Sequence, residues 1–170
     1  MTTIAELLLA ELEREANGTR RTLERVPEGR DDWKPHEKSM PLGYLASLVA
    51  TIPAWTVSMI TQDGLDLKAP GELQPRGPQT NRELLEAFDN AMVKAREAFA
   101  TATDEHLTTT SWRLLVGGHV VSEQPRYIAI RDGAFNHLVH HRAQLTVYLR
   151  LNDIPVPSLY GPSADERVFG

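Results

Sequence analysis

Asn136-His137-Leu138-Val139-His140-His141-Arg142-Ala143-Gln144-Leu145 sets two histidines four residues apart inside an amphipathic stretch. On a helix, positions i and i+4 lie one turn apart on one face. His137 and His141 share a stripe with Ile130, Ala134, Gln144, Leu145 and Tyr148, so the pattern predicts a helix that turns both imidazoles inward. An inward imidazole needs a partner for its ring nitrogens. A carbonyl or carboxylate is one; a divalent ion gripped by both rings, as in metal sites of helix bundles, is another. Spacing alone leaves both open, with the hydrogen-bonded pair the commoner outcome.

Outward from that stretch, the helix begins near Pro125, suited to a first helical position, and stops before Pro155. Three more segments carry helical periodicity. The first runs from about Thr3 to Val26, with Ile4, Leu7, Leu8 and Leu12 at helical spacing, a Thr3–Glu6 capping box at its start and Pro27 and Gly29 beyond its end. The second runs from about Pro41 to Ile60, with a kink expected at Pro53 because proline removes a ladder hydrogen bond. The third starts at a Thr80–Glu83 capping box and ends near Ala102, with Leu84, Leu85, Phe88, Met92, Ala95 and Phe99 as its buried stripe. Between the second and third, Asp63 to Gln79 is rich in Gly and Pro and predicts a surface crossover. Trp112 to Val121 is either a short hairpin around Gly117-Gly118 or an ordered loop. Ile154 to Glu166 predicts an extended tail over the helices. The fold class expected is all-α, a single four-helix domain over residues 1–170.

The chain has 170 residues, 41% of them hydrophobic, enough for one full-sized core. Its formal net charge of -5 offers no electrostatic footprint for nucleic acid or anionic lipid. No apolar run approaches the roughly 20 residues that span a bilayer, and the N-terminus lacks a signal-peptide pattern, so a cytoplasmic location is expected. The absence of cysteine excludes disulfides and a protein thiol nucleophile. Any thiol in the chemistry must arrive as a small molecule.

The order of elements, Asp32-Trp33-Lys34-Pro35, Leu42-Gly43, the His-x-x-His-His-Arg-x-Gln-Leu stretch and Tyr160-Gly161-Pro162-Ser163 together resemble the DinB-like family of bacterial four-helix proteins. The resemblance covers nearly the whole chain and is most specific over the last forty residues. It implies an up-down-down-up bundle, commonly a homodimer, and a divalent ion (nickel, zinc or iron) held by three histidines. Relatives include thiol-dependent transferases and an isomerase, so the implied activity is that of a metal-dependent thiol transferase or a hydrolase-like enzyme acting on a small molecule.

The resemblance assigns His137 and His141 as metal ligands and places the first ligand in the second helix, where Leu42-Gly43-Tyr44-Leu45-Ala46-Ser47-Leu48 puts a leucine at position 48. Leucine cannot coordinate a cation, and affinity should fall by orders of magnitude unless His36, His119 or His140 substitutes. Arg142 and Tyr148 are the candidate substrate-binding residues. Arg142 would meet an anionic thiol or else pair with Asp165 or Glu166 in the tail; Tyr148 would donate a proton or else pack in the core. Gln144 would hold a loop carbonyl. Trp55, Val57 and Met59 are the apolar side chains expected at a homodimer surface. Two functions remain: a metal-dependent enzyme with an impaired site, or a catalytically inactive bundle that binds a small molecule or a partner protein.

Overall fold

A computed structural model describes residues 1–67 and 80–167. Thr3 opens α1 (Ile4–Leu23): its side chain accepts from the Glu6 backbone N–H while the Glu6 carboxylate accepts from the Thr3 N–H, satisfying two orphan donors at once. Thr80 and Glu83 repeat the device at α4 (Asn81–Thr101). The apolar stripe of α1 is Ala5, Leu8, Leu12, Ala16 and Leu23; Leu7, expected in it, is 60% exposed.

α2 (Leu42–Thr51) has no side-chain cap. Its first donors are met instead by the preceding loop, with Leu42 N–H donating to the Trp33 carbonyl at 2.8 Å and Gly43 N–H to the Asp31 carbonyl at 3.0 Å. The bend expected at Pro53 is a 3₁₀ turn, Ile52–Ala54, followed by α3 (Trp55–Thr61). Together, Leu42–Thr61 is 20 residues of sufficient length and apolarity to cross a bilayer, against the expectation of no such run. Half of it is buried within the protein, where Leu45, Val49, Ile52 and Ile60 supply the core.

The chain is helix-rich as expected but not purely α: it carries a three-stranded mixed sheet, two strands of which are the hairpin that the sequence left open around Gly117-Gly118. β1 (Gly64–Leu67) pairs in parallel with β2 (Ser111–Val116), and β2 pairs antiparallel with β3 (His119–Pro125). Gly117 and Gly118, with φ of +57° and +82°, make the two-residue turn of the hairpin, a conformation other residues resist. The Gly118 N–H donates to Asp66 and ties that turn to β1. The supposed surface crossover therefore begins as a strand; its remainder, residues 68–79, lies outside the described residues. A short α5 (Asp104–Thr109) precedes β2.

From β3 the chain enters α6 (Arg126–Ile130), a π-helical turn over Arg131–Asn136, and α7 (His137–Leu151). The buried Arg126 caps α3, donating to the carbonyls of Met59 (2.9 Å) and Gln62 and pairing with Asp63. α4 packs against α1, α2 and α3, and α7 against α1 and α2, around one buried cluster that includes Leu12, Phe88, Phe99, Leu138 and Leu145. The tail returns over α1: Arg21 and Arg25 both bind Glu166, and Arg150 binds Asp165. The Ser158 N–H and the Arg25 guanidinium hold the Glu166 carboxyl down to about 2.

A Cβ at position 43 would lie 2.8 Å from Asp31 Oδ1, 2.9 Å from its Cβ and 3.2 Å from its Cα. Gly43→Ala should gain at most about 1 kcal/mol of helix propensity. It should lose about 1–3 kcal/mol by pushing the Asp31–Trp33 cap off α2. A lowered midpoint in denaturant unfolding checks this; a stabilised variant would mean the cap can shift freely.

Candidate functional site

The π turn brings the functional stretch against α3. In an antiparallel crossing, Trp55 meets His137 edge to face with ring centroids 5.2 Å apart. One turn along both helices, Met59 meets Gly133, where a Cβ would come within 2.6 Å of the Met59 methyl. Glycine in the π turn thus admits Met59, which is 4% exposed and belongs to the core, not to the surface expected for it. Trp55 and Val57 are half-buried against the same core.

His137 and His141 come together as the spacing predicted. Their Nε2 atoms are 2.7 Å apart, His141 Nδ1 lies 2.8 Å from Gln144 Oε1, and Gln144 Nε2 lies 3.1 Å from His140 Nε2. Gln144 therefore bridges two histidines and does not hold a loop carbonyl. The donor order follows from chemistry. The amide oxygen only accepts, so His141 carries its proton on Nδ1 and accepts at Nε2, and His137 donates from its own Nε2. Turning the Gln144 amide over reverses the chain and leaves every link made. In either direction His141 donates from one ring nitrogen and accepts at the other, so its imidazole is neutral. Burial holds both His137 and His141 below the ordinary histidine value, reinforced by the neighbouring imidazoles; for His141 the Gln144 hydrogen bond opposes part of that effect.

Two imidazole nitrogens on one tetrahedral ion at about 2.05 Å would sit about 3.3 Å apart. The observed 2.7 Å is a hydrogen-bond distance, so the rings would have to open and exchange a proton before an ion could enter. Among the described residues no group of three or more His, Cys, Asp or Glu side chains could hold a metal ion. Leu48 is half-buried against the core; His36 is exposed in the loop before α2, and His119 is exposed at the start of β3. The residues present do not fit a three-ligand divalent ion.

Arg142 points the other way. It is 2% exposed and pairs with Glu15 of α1 at 2.7 Å, with further bonds to the Glu15 carbonyl, Thr19 Oγ1 and the Tyr160 hydroxyl. The tail partners expected for it, Asp165 and Glu166, belong to Arg150, Arg21 and Arg25 instead. Tyr148 is buried, with its ring edge-on to Trp33 at 5.5 Å and its hydroxyl donating to the Met40 carbonyl at 3.1 Å. Glu15, a carboxylate on the apolar side of α1, is a partner that the sequence had not pointed to. Its position 3, 7 and 10 residues after Leu12, Leu8 and Ala5, on their face of the helix, was the available signal.

A family model described as DinB family matches residues 1–167. Among solved structures, the chain is similar to a DinB-like protein from Bacillus cereus ATCC 10987, with TM-score 0.70 and 21% identity over 93% of this chain and 98% of that one. It is also similar to the DinB-like protein YjoA from Bacillus subtilis, with TM-score 0.66 and 16% identity over 96% and 99%. None of the curated proteins matches. At these identities the structural likeness shows the fold alone.

Because His137 and His141 titrate below the ordinary histidine value of about 6.5 in the folded state, the unfolded chain binds more protons in the interval between. Stability is complete above about pH 6.5 and falls as pH drops through that interval. Denaturation midpoints should fall between about pH 7 and 5, and fall less in His141→Gln. Parallel profiles for parent and variant would remove the buried neutral pair from this account.

Proposed function

The chain belongs to the DinB family, and on that footing we propose that its histidine cluster is a family metal centre reduced to two ligands, working as a binding site without a resident divalent ion. One observation carries the reading: the two Nε2 atoms that would face the ion satisfy each other at 2.7 Å, with leucine at position 48 where the resemblance puts the first histidine. The four long helical segments then count as the up-down-down-up bundle of the family, with the sheet as an addition at one end. In this reading Arg142 and Tyr148 are scaffold, since their polar atoms are committed inside the fold. The ligand is a small molecule met in the cytoplasm.

A second reading is favoured by Gln144. An imidazole that donates Nδ1–H to a fixed oxygen presents Nε2 to an ion, which is how outer-shell partners tune metal ligands. Zinc, nickel or iron would then bind His137 and His141 when a low-molecular-weight thiol completes the set. The chain would act as a metal-dependent transferase whose sulfur comes entirely from its substrate, there being no cysteine.

Leu48→His separates the readings. In tag-free protein, zinc at a hundredfold excess over its Kd should stabilise the variant by about 2.7 kcal/mol, or roughly 5–10 °C in melting temperature. The parent should not move, and His141→Ala in the variant should abolish the shift. An equal shift in parent and variant would overturn the metal-free reading. A homodimer is the assembly proposed, through Val147 and Leu151, one turn apart on α7 and each 55% exposed. Light scattering should give twice 19.0 kDa, falling to the single mass in Val147→Glu; the single mass in the parent would remove the dimer.

A further inference from the structure

Two larger hollows on the described surface lie away from the histidine cluster, and their charges distinguish them. The hollow between α1 and α4 has a volume of about 370 Å³ and four charged side chains that cancel in pairs, Glu13 with Arg96 and Arg20 with Asp89. The groove between α1 and the tail, about 290 Å³, does not cancel. Arg14, Arg21 and Arg142 line it against one carboxylate, Glu15, in a chain whose net charge is -5. Even with Glu166 counted against Arg21, a positive charge is left over, and it belongs to Arg14.

Arg14 is exposed and makes no hydrogen bond or ion pair with any described residue. It shares one face of α1 with Asn17, Gly18 and Arg21, at i, i+3, i+4 and i+7. Asn17 is likewise exposed and unbonded among the described residues. Gly18, in the middle of that face, lets Leu159 and Arg142 approach the helix backbone, a Cβ there lying 3.0 Å from Leu159 Cδ2 and 3.3 Å from Arg142 Nη1. Opposite stand Leu159 and Tyr160. The Tyr160 ring is 71% exposed, yet its hydroxyl is anchored below, donating to Glu15 Oε2 at 2.5 Å, with the Arg142 guanidinium 5.3 Å from the ring centroid. An aromatic ring locked at one end and open at the other is a platform for a flat or aliphatic body. A guanidinium fork matches a carboxylate bidentately, and a neighbouring amide adds a donor.

We propose that the groove between α1 and the C-terminal segment binds a small organic carboxylate, its charge on Arg14 and Asn17 and its apolar body against Tyr160 and Leu159. The volume is at the small end of ligand pockets, which suits an acid of about ten non-hydrogen atoms. The site is separate from the histidine cluster, although α7 supplies residues to both.

Benzoate and inorganic phosphate, titrated separately into the full chain, test this by calorimetry and by amide shifts in nitrogen-15 NMR. Benzoate should bind with a Kd on the order of 1 mM and move the amides of Asn17, Gly18, Leu159 and Tyr160. Arg14→Ala, which removes no contact inside the fold, should weaken benzoate at least tenfold, and Arg14→Lys should restore part of the loss. Phosphate should bind at least tenfold more weakly than benzoate. Absent benzoate binding, equal binding by parent and Arg14→Ala, or phosphate as tight as benzoate would each overturn the proposal. His141→Ala should leave benzoate binding unchanged, so failure here and failure of the metal-free reading show up in different variants.

Discussion

The buried ion pair between Arg142 on α7 and Glu15 on α1 is the constraint to which the rest of the structure conforms. Both side chains are almost without solvent contact, 2% and 9% exposed, so neither charge can be left unpaired. Removing one partner of such a pair costs about 3–5 kcal/mol. The guanidinium also takes the Glu15 carbonyl, Thr19 and Tyr160, joining two helices and the tail at one point. Gly18 makes the approach feasible, because a Cβ there would sit 3.3 Å from Arg142 Nη1 and 3.0 Å from Leu159.

That pair sets the rotation of α7 about its axis. Successive residues on a helix are turned by about 100°, so with Arg142 directed to α1, His141 is turned away from it. α7 has α2 as its other neighbour, and His137 meets Trp55 just beyond the 3₁₀ turn that ends α2. The second contact of this crossing, Met59 on Gly133, fixes the translation along the axis as the ion pair fixes the rotation. Two of the contacts that place the histidine cluster, the ion pair and Met59 on Gly133, thus involve neither imidazole. Once placed, the cluster closes on itself: His137, His141, Gln144 and His140 form one hydrogen-bonded chain, and any ion must compete with bonds already made.

The helices, both capping boxes, the break at Pro53 and the inward pair of histidines were legible in the sequence because each depends on residues within one or two turns of each other. The same locality explains what was not. β1 is four residues long and finds its partner nearly fifty residues away, Gly64 opposite Arg113, so no periodicity announces it. The cap of α2 is made by backbone carbonyls at Asp31 and Trp33, which have no side-chain signature. Arg142 was visible as a cation needing a partner, but Asp165, Glu166 and Glu15 are equivalent until the helices are packed.

The sequence by itself determined the four long helical segments, that two imidazoles share one face, and that the chain carries no thiol. These follow from residue identity and spacing, which do not depend on where the helices go. Only the tertiary structure decided which carboxylate neutralises Arg142, that the imidazole nitrogens meet each other at 2.7 Å, and that Arg14 is left with a positive charge beside an open groove. Those are outcomes of competition among distant groups for the same partner. A chain settles such competition only when its burial, charge and packing are satisfied together.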